Sequence, residues 1–314
     1  MKDISTAKRQ QSVPTTRTRV HSPSQWTTLH AGELDILQAN ALRNIPWLVH
    51  SFSTRLGGQS ELSGKRILNL GFTDWDNRKA VEKNRAKLVS ALDAREMALA
   101  PLRQFHSDLI YFFEKPAAEP PRADASITRA PGILLAVQTA DCVPILLVDT
   151  KQRAIAAIHA GWRGTLKRIV MKTIGRMQMM LDSRPKDLLA ALGPAIGSCC
   201  YEVGPEVAQA FAGQFAAARD WFAGPFDQLA AGDTPNPLQW LTMVPPGHQP
   251  PAPRVNLDLR AANRWQLLEA GVLPRNIFAS ELCTSCRTDL LFSFRKEGNV
   301  SGRLMAVIGI SEDS

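Results

Sequence analysis

The stretch Gly132–Gly164, GILLAVQTADCVPILLVDTKQRAIAAIHAGWRG, constrains the fold more than any other part of the chain. Within it, two apolar runs at 143–148 and 154–158 are joined by the polar link Asp149-Thr150-Lys151-Gln152-Arg153. Short apolar runs separated by about five polar residues read as an antiparallel hairpin. A turn centred near Lys151 pairs Val148 with residue 153 or 154, and so sets Cys142 beside His159, both just outside the paired strands. Opposite Cβ atoms across such a ladder lie about 4.5–5.5 Å apart. That spacing suits two groups sharing one ion through bonds of about 2.0–2.3 Å. A thiol and an imidazole seventeen residues apart thereby become neighbours.

Three chemistries are open to such a pair. Thiolate and imidazole together form a borderline-soft donor set that suits Zn²⁺, and a third ligand would leave the fourth position open, as in catalytic zinc sites. The same two residues could act as a cysteine nucleophile and its general base. They could also be a structural pair, since free cysteine is often buried. For a third ligand, His106 directly precedes an apolar run within 102–113, a segment that reads as a strand interrupted by polar residues. His21 and His30 lie in or beside the N-terminal tail and His248 in a Pro-rich stretch, which leaves His50 as a competitor.

The rest of the chain supplies the setting. With 314 residues it is long enough to bury a substantial core, and 45% hydrophobic with 21% charged residues is ordinary for a globular protein. No apolar run approaches the roughly 20 residues that span a bilayer, and the N-terminus lacks the apolar core of a secretion signal. Five unevenly placed cysteines, an odd count, suit a reducing, cytoplasmic setting rather than a disulfide scaffold. Of the net charge of +8, half sits on residues 1–30, where Lys2, Lys8, Arg9, Arg17 and Arg19 face Asp3 alone. A Ser/Thr/Gln-rich basic tail of this kind reads as a solvated, disordered end rather than a nucleic-acid arm.

Structure is expected from about Trp47, where a strand at 47–52 leads into Ser53-Thr54-Arg55-Leu56-Gly57-Gly58. Two glycines after a strand free backbone N–H groups, and Arg55 beside them could hold an anion. A helix is expected over 74–93, capped by Asp76 or Asn77. Segments 124–128 and 132–138 read as a second strand pair. A helix carrying Leu166, Ile169, Val170, Ile174, Met177 and Leu181 follows His159-Ala160-Gly161-Trp162-Arg163-Gly164, where Arg163 offers a fork for phosphate. Strands at 188–192, 277–281 and 304–310, helices begun by Pro205 and spanning 258–269, and a long Ala/Gly/Pro-rich loop at 213–255 complete the reading. The expected architecture is α/β (α+β): one domain over 45–312, a mixed β-sheet sandwich with flanking helices. Cys283 and Cys286 form a C-x-x-C that could suggest redox chemistry or a second zinc with Cys199 and Cys200, but the motif alone is weak and the structural reading is preferred.

The segments T-A-D-C-V-P-I-L-L (139–147) and H-A-G-W-R-G (159–164) resemble the signature of the purine nucleoside phosphorylase family once called laccase-domain or polyphenol oxidase proteins. The resemblance extends to S-T-R-L-G-G (53–58), N-L-G (69–71), Q-F-H-S (104–107), G-P-A-I and Y-E-V-G (193–204), and C-T, F-S-F-R and G-R between 283 and 303. It covers about 45–312. It implies a fold related to toxin deamidases with a cysteine–histidine pair, and zinc held by His106, Cys142 and His159, which selects His106 over His50. It also implies phosphorolysis of adenosine, inosine and methylthioadenosine, with adenosine deamination as a second activity. On that basis purine nucleosides and inorganic phosphate are the expected partners; the apolar runs suggest no membrane span, and the tail's composition speaks against a nucleic-acid partner. Phosphate would be held by Arg55, Gly57, Gly58 and Arg163, with Gln104 of the Q-x-H motif among the substrate-binding residues. Glu202 is the nominated proton-transferring carboxylate beside Cys142, His159 and Arg163.

Copper-dependent phenol oxidation, the older family reading, needs a type-1 site and a trinuclear cluster fed by several imidazoles each. Six histidines, two of them at 21 and 30, do not supply these. A cysteine hydrolase or amidase using Cys142 with His159, and a non-catalytic sensing module acting through the basic tail, are the competing function classes.

Overall fold

Strands Ile133–Thr139, Val143–Asp149 and Ala154–Ala160 are buried along almost their whole length. This is why they read as continuous apolar runs rather than alternating patterns: both faces of each strand are covered. The computed structural model describes residues 25–230 and 254–312. Two six-stranded mixed sheets form its centre. The first runs in the order Trp26–Ala31, Leu34–Ala39, Leu48–Ser53, Leu304–Ile310, Ile133–Thr139, Ala98–Pro101. The second runs Ile277–Ala279, Leu188–Leu192, Val143–Asp149, Ala154–Ala160, Ala125–Thr128, Ile110–Phe112. Parallel pairing is confined to edge strands in both.

Side-chain alternation builds the layers. From the first sheet Phe52, Leu135, Val137, Ala306 and Ile308 meet Leu146, Val148, Ile155 and Ala157 of the second, a dry interior between the sheets. Their sequence neighbours face outward. Leu134, Ala136, Met305 and Val307 pack under helix Arg78–Ala91 through Leu88. Val143, Ile145, Leu147 and Ile158 pack under helices Ile169–Leu181 and Leu259–Glu269. The result is a helix–sheet–sheet–helix sandwich, the expected class of architecture.

The hairpin forms, but its register differs from the expected one. Val148 pairs with Ile155 and His159 with Pro144, because both strands extend further than their apolar cores suggest. His159 therefore lies within its strand, and Cys142 precedes the facing one. Segments 124–128 and 132–138 are both strands but do not pair: Ala125–Thr128 joins the second sheet and Ile133–Thr139 the first. Residues 102–109 form a loop, not an interrupted strand.

Order also begins earlier than Trp47. Trp26–Ala31 is an edge strand, so the tail expected over 1–30 ends sooner, with residues 1–24 outside the described ones. The helix after His159 breaks in two, Trp162–Leu166 and Ile169–Leu181, at Arg168 in a left-handed conformation (φ 62°). Within the expected 213–255 loop, Ala218–Trp221 and Phe226–Ala230 are helical. Their aromatic rings, Trp221 and Phe226 among them, pack with Phe211, Phe215, Phe222 and Trp265. Residues 231–253 of that loop lie outside the described ones.

His50, the competing ligand, is fixed in strand Leu48–Ser53 at 1% exposure, and its Nε2 has no hydrogen-bond partner. Burial holds its pKa down to about 4. The unfolded chain takes up this proton below about 6.5 whereas the folded chain does not, so stability is lost as pH falls between about 6.5 and 4, by up to about 3 kcal/mol. Denaturation midpoints measured across this window should fall less steeply in His50→Leu than in the wild type. Parallel curves would contradict the assignment.

Candidate metal centre

Three segments converge at one end of the second sheet: the loop 102–109, the turn ending in Asp141-Cys142, and the end of strand Ala154–Ala160. They bring His106, Cys142 and His159 together with one ligand atom from each lying within 4.8 Å of the others. Cys142 Sγ is 3.8 Å from His106 Nε2, and the two imidazole rings stand 5.0 Å apart at 71°. All three sequence-derived donors therefore meet, though not by the direct cross-strand pairing first expected. Gly161 makes the approach possible, since a Cβ there would lie 2.8 Å from Cys142 Sγ and 3.0 Å from His106 Cδ2.

The organiser of the centre is Asp124, which is fully buried at the entrance to strand Ala125–Thr128. Its carboxylate accepts the N–H groups of Phe105 (3.3 Å), His106 (3.0 Å) and Ser107 (2.6 Å), and the Ser107 hydroxyl (2.6 Å). It also accepts His159 Nδ1–H at 2.9 Å. The loop is thus bent around one carboxylate, which holds His106 in the left-handed region (φ 60°). With Nδ1 committed to Asp124, His159 presents Nε2 to the cluster, the arrangement that orients metal-binding histidines.

Electrostatics agree with this geometry. Burial alone would raise the Asp124 pKa, but the donors from His159 and Ser107 bring it down to about 2. Burial opposes charge on Cys142 and His159 too. Against it, the two imidazoles draw the thiol down to about 6, while Cys142 and Asp124 hold His159 up to about 9. The sulfur is accordingly a ready thiolate, the form that binds metal or attacks carbon.

Asp141 positions Cys142. It adopts φ 94°, and its carboxylate accepts Thr284 Oγ1–H and Arg295 N–H, each at 2.6 Å. Sequence reasoning missed the parts played by Asp124 and Asp141; an acidic residue directly before an apolar strand was the available signal for Asp124. Burial and the nearby Cys142 raise the pKa of the Tyr201 hydroxyl, and burial lowers that of Arg303 against the opposing charges of Cys142 and Asp141. The Arg295 guanidinium stacks on Tyr201 at 4.9 Å.

The remaining sequence candidates are placed differently. Arg55 binds Glu297 at 2.7 Å and the carbonyl of Thr288 at 2.6 Å, with its guanidinium over Phe292, so its charge is already used inside the fold. Gly57 and Gly58 are required because a Cβ would overlap the carbonyls of Glu33 and Ile67, a packing reason rather than an anion cradle. Gln104 exchanges side-chain hydrogen bonds with the backbone of Gln138 (2.7 and 2.8 Å), which fixes the approach of the loop to the first sheet. Arg163 is exposed and lies over Trp162 at 4.4 Å. The Glu202 carboxylate, expected to transfer protons, is half exposed and pairs with Arg254 at 3.0 Å.

Two imidazoles and one thiolate, oriented from behind by a carboxylate, fit a single borderline-soft ion with one position left open. Fold and site together define a mixed-sheet α/β protein with a three-donor candidate metal centre. Comparison with known proteins then gives the family. Residues 49–311 match the model described as multi-copper polyphenol oxidoreductase laccase, and the chain belongs to this family. It is similar to the purine nucleoside phosphorylase YlmD of Geobacillus stearothermophilus, at 34% identity over 84% of this chain and 91% of that one. A crystal structure of YlmD from the same organism aligns with a TM-score of 0.72 at 30% identity, covering 92% of this chain and 100% of that one. A protein named adenosine deaminase RL5, from an unknown prokaryotic organism, is 37% identical over 57% of this chain and 59% of its own length.

Because Asp124 orients His159 and shapes the His106 loop, Asp124→Asn should weaken metal binding by about 10–100-fold. Competition with a chromophoric chelator measures this, and an unchanged affinity would contradict the role.

Proposed function

We propose that this chain is a zinc-dependent purine nucleoside phosphorylase that converts adenosine, inosine or methylthioadenosine with phosphate into free base and ribose 1-phosphate. Adenosine deamination is proposed as a second activity of the same site. The observation that carries the reading is the meeting of His106, Cys142 and His159 over Asp124, in a chain whose relatives bear these names.

In this reading His106, Cys142 and His159 hold Zn²⁺, which when bound supplies Lewis acidity and lowers the pKa of water. The protein's own groups do the rest. Arg163, exposed beside Trp162 just after the His159 strand, and Arg295, whose guanidinium lies over Tyr201, are the cations proposed to hold phosphate. Arg55, already paired with Glu297, is not among them. The exposed rings of Phe105 and Phe294, each next to a site residue, offer faces on which a purine can stack. A phosphate oxygen held by these arginines would bond to C1′ as the bond from C1′ to the base breaks; the electron pair leaves with the purine, which takes up the proton that the phosphate brings as HPO4²⁻.

Among the described residues only His106 and His159 converge, while His30 pairs with Asp35 and His50 is sealed in a sheet. This supports a single-ion centre over a multicopper one. One observation favours a second reading. Cys142, His159 and Asp124 line up as thiolate, imidazole and carboxylate, the order of a cysteine hydrolase.

Hypoxanthine release from inosine separates the two. It should require phosphate, stop on chelation, return with Zn²⁺, and be abolished in Cys142→Ala and His106→Ala. Turnover that ignores chelators and phosphate but is destroyed by thiol alkylation would overturn the proposal in favour of the hydrolase. Arg163→Ala should raise the KM for phosphate by about tenfold or more, the value of one charge-assisted contact, and leave the KM for inosine nearly unchanged.

A further inference from the structure

A second cluster of soft donors lies outside this centre. Cys199 and Cys200 follow the strand Leu188–Leu192, and Cys283 and Cys286 follow Ile277–Ala279, the parallel neighbour of that strand. Parallel pairing delivers both loops to the same end of the sheet. The four Sγ atoms all lie within 4.8 Å of one another. Cys286 Sγ is 3.5 Å from Cys199 Sγ and 3.4 Å from Cys200 Sγ, and all four are free thiols.

These distances are too long for disulfides, which need about 2.05 Å between sulfurs. They match the edges of a sulfur tetrahedron around Zn²⁺, about 3.8 Å for bonds of about 2.3 Å. The surroundings are also those of a thiolate site. Cys283 Sγ accepts the N–H of Gly197 at 3.2 Å, so its sulfur already meets a backbone donor. Gly197 keeps this turn close, since a Cβ there would press on Cys199 Sγ and Arg260 Nη2 at 3.1 Å each. Four thiols packed together without an ion gain little from one another, because each is a weak donor and a weak acceptor.

We propose that Cys199, Cys200, Cys283 and Cys286 form a closed tetrathiolate site for a soft divalent cation, Zn²⁺ in the cell, that acts as a structural staple. Binding displaces the thiol protons to solvent, and with all four positions filled by protein the ion takes no part in catalysis. Its place explains its use. Thr284, between the two paired cysteines, holds Asp141 ahead of Cys142, and Tyr201 directly follows Cys200. Ile196 N–H donates to the Asp141 carbonyl at 2.9 Å, and an isolated bridge joins Ala195 to Cys283. The staple thus ties together two loops that form one wall of the first centre.

The test uses the full chain carrying His106→Ala and Cys142→Ala, purified reduced and without oxygen, so that the first centre cannot contribute. This variant should retain about one Zn²⁺ per chain. Co²⁺ in its place should give an intense thiolate-to-metal charge-transfer band with tetrahedral ligand-field bands. Adding Cys283→Ser and Cys286→Ser should remove both. If the parent variant does not fold, the wild type serves instead: two ions per chain, falling to one in Cys286→Ser with the cobalt–thiolate bands reduced. A folded protein with four titratable thiols that binds no Zn²⁺ and gives no such band would overturn the proposal, as would disulfides found among these cysteines under reducing conditions. Neither outcome depends on whether the first centre is a phosphorylase.

Discussion

The structure depends most on one buried carboxylate. Asp124 carries a charge into an interior where an uncompensated ion would cost many kcal/mol. It is tolerated because five donors from two separate segments converge on it. Those donors are the means by which a loop between two sheets and the end of a strand are fixed relative to one another. Remove the carboxylate, and the 105–107 loop loses four hydrogen bonds that bend it around His106 at φ 60°. The same group sets which nitrogen His159 shows to the cluster. Fold and chemistry share a single interaction here.

Around that anchor the protein uses small residues and strain to bring the donors close. Gly161 leaves room for Cys142 and His106 to meet, and Asp141 is held at φ 94° by Thr284 and by the backbone of Arg295. Non-glycine residues in this region cost energy, and they persist only where the surroundings over-determine them. Here the surroundings are two loops that the four cysteines would clamp together. On the proposed account His106, Cys142 and His159 would hold an ion with one position open, and a second ion on the four cysteines would keep one wall of that site from moving.

Much of this was legible in the sequence, and the failures have physical causes. The hairpin, its flanking helices and the strands at Leu188–Leu192 and Leu304–Ile310 were readable because doubly buried strands are continuous apolar runs. The register was misread because Asp149, a fully buried polar residue, belongs to its strand despite looking like a loop. The partnership of Ala125–Thr128 and Ile133–Thr139 was misjudged because closeness in sequence does not say that a chain has crossed from one sheet to another. Arg55 with Gly57 and Gly58 looked like an anion cradle, yet the glycines serve backbone approach and the arginine serves Glu297. Donor identity is written in residue type, whereas the use of a charge depends on partners more than two hundred residues away.

The central claim is that His106, Cys142 and His159 together hold a metal ion on which turnover depends. The most direct measurement is a crystal structure of the zinc-supplemented, active protein with anomalous scattering recorded on either side of the zinc absorption edge. The account predicts a zinc peak within bonding distance of all three side chains, with Asp124 still on His159 Nδ1. A map with no such peak, from protein that converts inosine and phosphate at full rate, would contradict it.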